Sequence, residues 1–208
     1  MKDGNATRIK LLEAARDVIR AKGYAATTVD DICSAAGVTK GSFFHHFANK
    51  EQLGIAAAER FGAMAEELFA CAPYSKLADP LDRVLGYVDF RVSLLQGDIA
   101  QFTCLLGTLA QEVYATHPGI RAACDQGLST HVEQLERDIE AAKALYAPDA
   151  AWSAKSLGYF MQSVLQGSFI FVKVKQDTEV ALTSLEHLRR YLEMLFDRTG
   201  HIKKKKAQ

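Results

Sequence analysis

The stretch at 27–53, TTVDDICSAAGVTKGSFFHHFANKEQL, decides how this chain folds. Thr28, followed three residues later by Asp31, has the spacing of a capping box, in which a hydroxyl and a carboxylate each take a backbone N–H at a helix start. The helix it opens reaches about residue 36, with Val29, Ile32 and Ala35 facing inward. Gly37 supplies a tight turn, Val38 a buried plug, and Thr39 the cap of a second short helix over about 40–47, before Asn49 caps a longer one. Two short helices joined at a glycine make a helix-turn-helix. The second carries Thr39, Lys40, Ser42, Phe44, His45 and His46 outward, while Phe43 and Phe47 fall toward the core. Small, cationic and aromatic groups at a helix start suit a DNA major groove. They also suit an ordinary solvated surface helix.

Upstream, Ile9, Leu12, Ala15, Val18 and Ile19 recur at helical spacing over 7–22, and Gly23 ends that helix. Downstream, further helices are expected at about 50–70, from 80 after the Asp79-Pro80 start, and at 101–115, 118–146, 149–175 and 178–199. The only β-branched and aromatic cluster, at 169–174, continues a helical pattern, so the chain reads as all-α.

Its 208 residues, 49% hydrophobic and 24% charged, suffice for one large or two modest cores. The net charge of zero hides an asymmetry. Residues 1–50 hold eight Lys/Arg against five Asp/Glu, residues 51–202 hold thirteen against twenty, and Lys203, Lys204, Lys205 and Lys206 form a basic tail. A basic segment joined to an acidic one fits a nucleic-acid reader attached to something else. The charged opening MKDGNATRIK and the lack of a long apolar run lead to the expectation of a cytoplasmic protein with no membrane span. Cys33, Cys71, Cys104 and Cys124 stand far apart, which disfavours a disulfide framework or a zinc site. No metal or other cofactor is expected.

From Gly23 to Leu53 the order glycine-aromatic, Thr-x-x-x-Ile, Ala-Gly-Val, Lys-Gly-Ser, aromatic pair, His-Phe and Lys-Glu-x-Leu resembles the TetR/AcrR signature of bacterial transcriptional regulators. The resemblance implies an N-terminal three-helix helix-turn-helix domain (1–48), a helical ligand-binding and dimerisation domain (49–200) and a basic tail (201–208). It implies a repressor, homodimeric through its last two helices, bound to a palindromic double-stranded operator and released by a small-molecule or thiol-reactive effector. Carried over position by position, the DNA contacts are Thr28, Thr39, Lys40, Gly41, Ser42, Phe44, His46 and Lys50. Lys40 and Ser42 would reach base edges, while Thr28, Thr39, His46 and Lys50 would mainly hold phosphates. Phe44 departs from the family's usual tyrosine and has no hydroxyl for a phosphate.

The same resemblance places an effector pocket among Tyr87, Phe90, Arg91, Cys104, Leu105, Thr108, His131, Trp152 and Phe160. Each could equally be core. FTCLLGTLAQEV, around Cys104, is similar to a segment of the family's electrophile-sensing N-ethylmaleimide reductase repressor group. That makes Cys104 a candidate thiol sensor, with Lys173 or Lys175 to lower its pKa, against the alternative of an inert core cysteine. The apolar residues Leu157, Phe160, Met161, Val164, Leu165, Phe169 and Phe171, with Leu185, Leu188, Leu192, Leu195 and Phe196, look too extensive for a monomer surface. Two rival functions are considered. An enzyme lacks a motif to build on, GLSTH at 127–131 missing the second glycine of a nucleophile elbow. A helical interaction protein that does not bind DNA would account for the basic ends, but not for the ordered caps and turn.

Overall fold

The computed structural model describes residues 2–197, with side chains from Asn5 onward. The expected end of the last helix at 199 and the basic tail at 201–208 lie outside the described residues. Ten α-helices and no strand occur among those described: α1 (Lys2–Lys22), α2 (Val29–Ala36), α3 (Lys40–His46), α4 (Lys50–Cys71), α5 (Pro80–Ser93), α6 (Ile99–Phe102), α7 (Leu105–Val113), α8 (Pro118–Tyr146), α9 (Ala154–Lys175) and α10 (Glu179–Leu195). A short 3-10 turn, Pro73–Lys76, lies between α4 and α5.

Packing divides the chain into two compact units. The first contains the residues up to Glu67 together with Ala100–Ser129; the second contains Leu68–Ile99 and the chain from Thr130 onward. In the first, α1 brings Leu11, Leu12, Ala15 and Ile19 onto Ile32 of α2, Phe43 and Phe47 of the α3 segment, and Leu53, Ala57 and Ala58 of α4. Leu105, Leu106 and Leu109 of α7 and Ile120 and Cys124 of α8 close the same core. Fully burying side chains of this size contributes roughly 1.5–3 kcal/mol each. A Cβ on Gly62 would come 3.4 Å from the Gly127 Cα, so α4 and α8 pass glycine against glycine. The Gly127 of the GLSTH segment thus serves a helix crossing.

In the second unit, Asp79 caps α5 by accepting the Leu81 N–H at 2.8 Å, with Pro80 in the first turn. Leu81, Val84, Leu85 and Val88 of α5 are buried, as are Val132, Leu135 and Ile139 of α8, Leu157, Met161, Leu165 and Phe169 of α9, and Leu185, Leu188, Leu192 and Phe196 toward the C-terminus.

Several expectations are corrected. The helix expected at 101–115 breaks into α6 and α7, because Arg20 Nη1 takes the carbonyls of Gln101 (2.9 Å) and Thr103 (3.1 Å) that a continuous helix would use internally. Cys104 then caps α7. The helix expected from 149 starts at Ala154, where Ser153 Oγ accepts the Ser156 N–H at 3.1 Å. In α2, Cys33 rather than Ala35 turns inward, and Val38 is only half-buried. Much of the apolar face assigned to a partner, Leu157, Met161, Leu165, Phe169, Leu185, Leu188, Leu192 and Phe196, is buried within the second unit itself. The large apolar residues left exposed on α9 and α10 are Tyr159, Phe160, Ile170, Phe171, Val174, Tyr191 and Met194.

Candidate nucleic-acid interface and a buried polar cluster

The α2–α3 pair is shaped by its caps. Asp31 N–H donates to Thr28 Oγ1 at 3.1 Å and Thr28 N–H donates to Asp31 Oδ2 at 2.7 Å, closing the capping box. Lys22 Nζ approaches the same oxygen at 2.6 Å, and these donors hold the Asp31 carboxyl well below its usual range. Gly37 is left-handed, φ 64°, and Val38 N–H returns to the Cys33 carbonyl at 3.0 Å, so the chain reverses without an unpaired helix end. Thr39 Oγ1 then accepts the Ser42 N–H at 3.2 Å to start α3. Phe43 and Phe47 anchor that segment below.

Thr28, Thr39, Lys40, Gly41 and Phe44 are exposed, Ser42 and His46 partly so. Phe44, 56% exposed, has the Phe43 ring edge-on at 5.2 Å. Two of the expected contacts already have partners. Lys40 Nζ pairs with Asp30 Oδ1 at 2.8 Å, both side chains exposed. Lys50 Nζ donates to the carbonyls of Tyr24 (3.0 Å) and Thr27 (2.9 Å) and lies 4.3 Å from the Tyr24 ring centre, where desolvation lowers its pKa. Lys50 therefore fastens the turn ahead of α2. From the far side of the same unit, Glu112 of α7 accepts the N–H groups of Tyr24 (3.1 Å) and Ala25 (2.9 Å). Sequence reasoning missed Glu112, because nothing local marks a carboxylate that acts 87 residues away.

The effector candidates separate. Tyr87, Phe90, Arg91 and His131 come together in the second unit, joined by Phe69, Tyr74 and Gln162, which the sequence reading did not name. Gln162 carried a usable signal, a polar side chain amid the apolar face of Met161 and Leu165. Tyr87 Oη receives the Arg91 Nε–H at 2.8 Å and a Gln162 Nε2–H at 2.6 Å, and lies 3.0 Å from His131 Nε2. Arg91 Nη2 is 3.0 Å from the same His131 nitrogen, and its guanidinium carbon is 4.1 Å from the Phe69 ring centre. Burial, reinforced by the Arg91 charge, pushes the His131 pKa down to about 3.

Trp152 packs instead on Phe196 at 5.3 Å, and Phe160 is a surface residue beside Tyr191. Cys104, Leu105 and Thr108 belong to the first unit, and Lys173 and Lys175 to the second. Cys104 Sγ accepts the Gly107 N–H at 3.4 Å, and Thr108 Oγ1 donates to the Cys104 carbonyl at 3.1 Å. The cation beside this segment within its own unit is Arg20, held on the Thr103 carbonyl. All four cysteines are free thiols, and burial lifts that of Cys124 to about 12. Among the described residues, no helix is long and apolar enough to cross a membrane and no group of three His, Cys, Asp or Glu is placed to hold a metal.

A capped helix pair meeting at a left-handed glycine, with a polar and aromatic outer face on a helical core, defines a helix-turn-helix DNA-binding protein. Comparison with known proteins agrees. Residues 11–57 match the model of bacterial regulatory proteins of the tetR family, and residues 80–188 match the tetracyclin repressor-like C-terminal domain. The transcriptional regulator AcuR of Cereibacter sphaeroides is 31% identical over 76% of this chain and 74% of its own length. The HTH-type transcriptional repressor NemR of Escherichia coli K12 is 22% identical over 89% and 94%. A crystal structure of a regulatory protein TetR from Rhodobacter sphaeroides superposes with a TM-score of 0.77 at 25% identity, covering 87% of this chain and 96% of that one. The chain belongs to the tetR family and is a DNA-binding transcriptional regulator.

Proposed function

We propose that the protein is a cytoplasmic repressor that holds a palindromic operator as a homodimer and lets it go when its second unit binds a small molecule. The observation that carries this reading is the doubly capped α2–α3 pair with Thr39, Lys40, Gly41 and Phe44 outward. In this reading Lys40 and Ser42 face base edges, Thr28, Thr39 and His46 hold phosphates, and Phe44 lies on sugar or a thymine methyl. Lys50 acts by fixing the turn that carries Thr28. The reading segment is 1–48, and effector response and dimerisation belong to 49–200, with the tail at 201–208 adding phosphate attraction. Exposed Phe171, Val174 and Met194 support pairing through α9 and α10.

The test is selection from a random duplex pool at increasing salt. A recovered palindrome supports the reading; binding with no sequence preference overturns it. Lys40→Ala should change which sequences are recovered, whereas a uniform loss of affinity would remove Lys40 from base reading. Phe171→Glu should halve the sedimenting mass; an unchanged mass moves the dimer interface elsewhere.

A second reading of the signal rests on Cys104 Sγ at the α7 cap. Alkylation there would withdraw the sulfur from the Gly107 N–H and disturb the start of α7, the helix that carries Glu112. N-ethylmaleimide should then release DNA from the wild-type protein and not from Cys104→Ser. Release from both would rule Cys104 out.

A further inference from the structure

We propose that the Arg91 cluster of the second unit binds a small organic monocarboxylate, gripped by the open end of the Arg91 guanidinium and seated against the aromatic rings beside it. The inference rests on the reading of the second unit as the effector-responsive one.

The hydrogen bonds fix the protons. Tyr87 Oη accepts from Arg91 Nε and from Gln162 Nε2, which uses both of its lone pairs, so its own proton points to His131 Nε2. Nε2, which Arg91 Nη2 also faces at 3.0 Å, is therefore an acceptor whose one lone pair these two donors share, and the imidazole is neutral with its proton on Nδ1. The Nδ1 side is buried and faces Gln134 without closing a hydrogen bond of ordinary geometry. Burial raises the Tyr74 pKa, which keeps that phenol neutral. The cluster thus carries one charge, the guanidinium of Arg91.

That charge has no counter-ion among the described residues. Asp89, two residues away on α5, is engaged by Arg189 at 2.8 Å, and Asp138 by Arg83 at 2.6 Å. A half-buried cation against the rings of Phe69 and Tyr87 loses hydration and gains ring faces and two neutral hydrogen-bond partners, but no anion, in return. Nε and one N–H of Nη2 are committed to Tyr87 and His131. The two N–H groups of Nη1 and the second of Nη2 are not, and together they form the planar fork that matches a carboxylate with two parallel hydrogen bonds. One positive charge suits a monoanion, and the rings beside it suit a hydrocarbon or aromatic body better than inorganic phosphate.

The experiment uses the full-length protein and follows thermal unfolding at matched ionic strength. The probes are sodium acetate through octanoate and benzoate, each compared with its primary amide, and inorganic phosphate. At least one carboxylate should raise the unfolding temperature by roughly 5 °C near saturation, with its amide and phosphate inert. Arg91→Met should weaken that carboxylate about ten- to hundredfold, and Arg91→Lys should weaken it less. If Arg91→Met does not melt cooperatively, Arg91→Lys decides, since undiminished affinity there overturns the proposal. Amides that bind as well as their acids would overturn the carboxylate while leaving an effector site in this unit. If no acid or amide binds a protein that still selects a DNA sequence, this cluster falls as the effector site and the DNA-binding reading stands.

Discussion

His131 shows how a single residue's surroundings become a measurable property of the whole protein. Its pKa falls from an ordinary value near 6.5 to about 3, because burial and the Arg91 charge both oppose protonation. Between these values the unfolded chain binds a proton that the folded one refuses, so the stabilisation is complete above about pH 6.5 and is lost as pH falls toward 3. From pH 6.5 to 5 this one group should cost about 1.5 kcal/mol of unfolding free energy. Urea titrations at the two pH values should show that decrement in the wild type and little of it in His131→Gln; equal slopes would remove His131 as the cause. Asp31 depends on pH in the same sense, but its contribution fades only below the ordinary aspartate range, outside this window. At this scale the sequence was informative wherever partners are neighbours, as with Thr28 and Asp31. Arg91 could be picked out as a pocket candidate, but its missing counter-ion could not, because that depends on where Asp89 and Asp138 find their partners.

Helices announced by a cap and an apolar period were legible: α1 by its stop at Gly23, α2 and α3 by Thr28 and Thr39, α5 by Asp79-Pro80. The break between α6 and α7 was not, since LLGTLAQEV continues the helical pattern and the agent of the break, Arg20, lies more than eighty residues upstream. Removing that guanidinium leaves two carbonyls without their donor and a void beside Phe61. Arg20→Met should therefore destabilise the protein by about 2–4 kcal/mol, read from denaturant midpoints at constant slope. A loss under about 0.5 kcal/mol, the range of an ordinary surface substitution, would show that the α6–α7 break stands without it. Several residues of the apolar face on α9 and α10 turned out to be internal core for a related reason. Periodicity marks apolar positions on α9 and α10, but not which of them the protein's own α5 and α8 will cover.

At the level of the whole molecule, the capped helix pair and the core that supports it are not coextensive. Residues 1–48 carry the capped helix pair, yet Leu53, Leu105, Leu109 and Ile120 fill the same core as Ile32 and Phe43. A fragment ending at residue 67 would lack everything that 100–129 supplies to that core. It should be helical by circular dichroism without a cooperative melt, and adding residues 100–129 through a linker should restore one; a sharp transition in the short fragment would contradict this. No pattern in the sequence signals such interleaving, because each segment's periodicity is satisfied whichever neighbour covers it. Gly23 gives the arrangement a practical handle. It ends α1 at φ 86°, and a Cβ there would fall 2.4 Å from Glu112 Oε1, within the carboxylate that receives the Tyr24 and Ala25 N–H groups. A methyl group at this one position would act as a wedge, prising the α7 carboxylate from the threshold of α2 while leaving every side chain of α2 and α3 chemically intact. In the operator-holding role proposed above, position 23 is thus a place where grip on DNA would be loosened from behind.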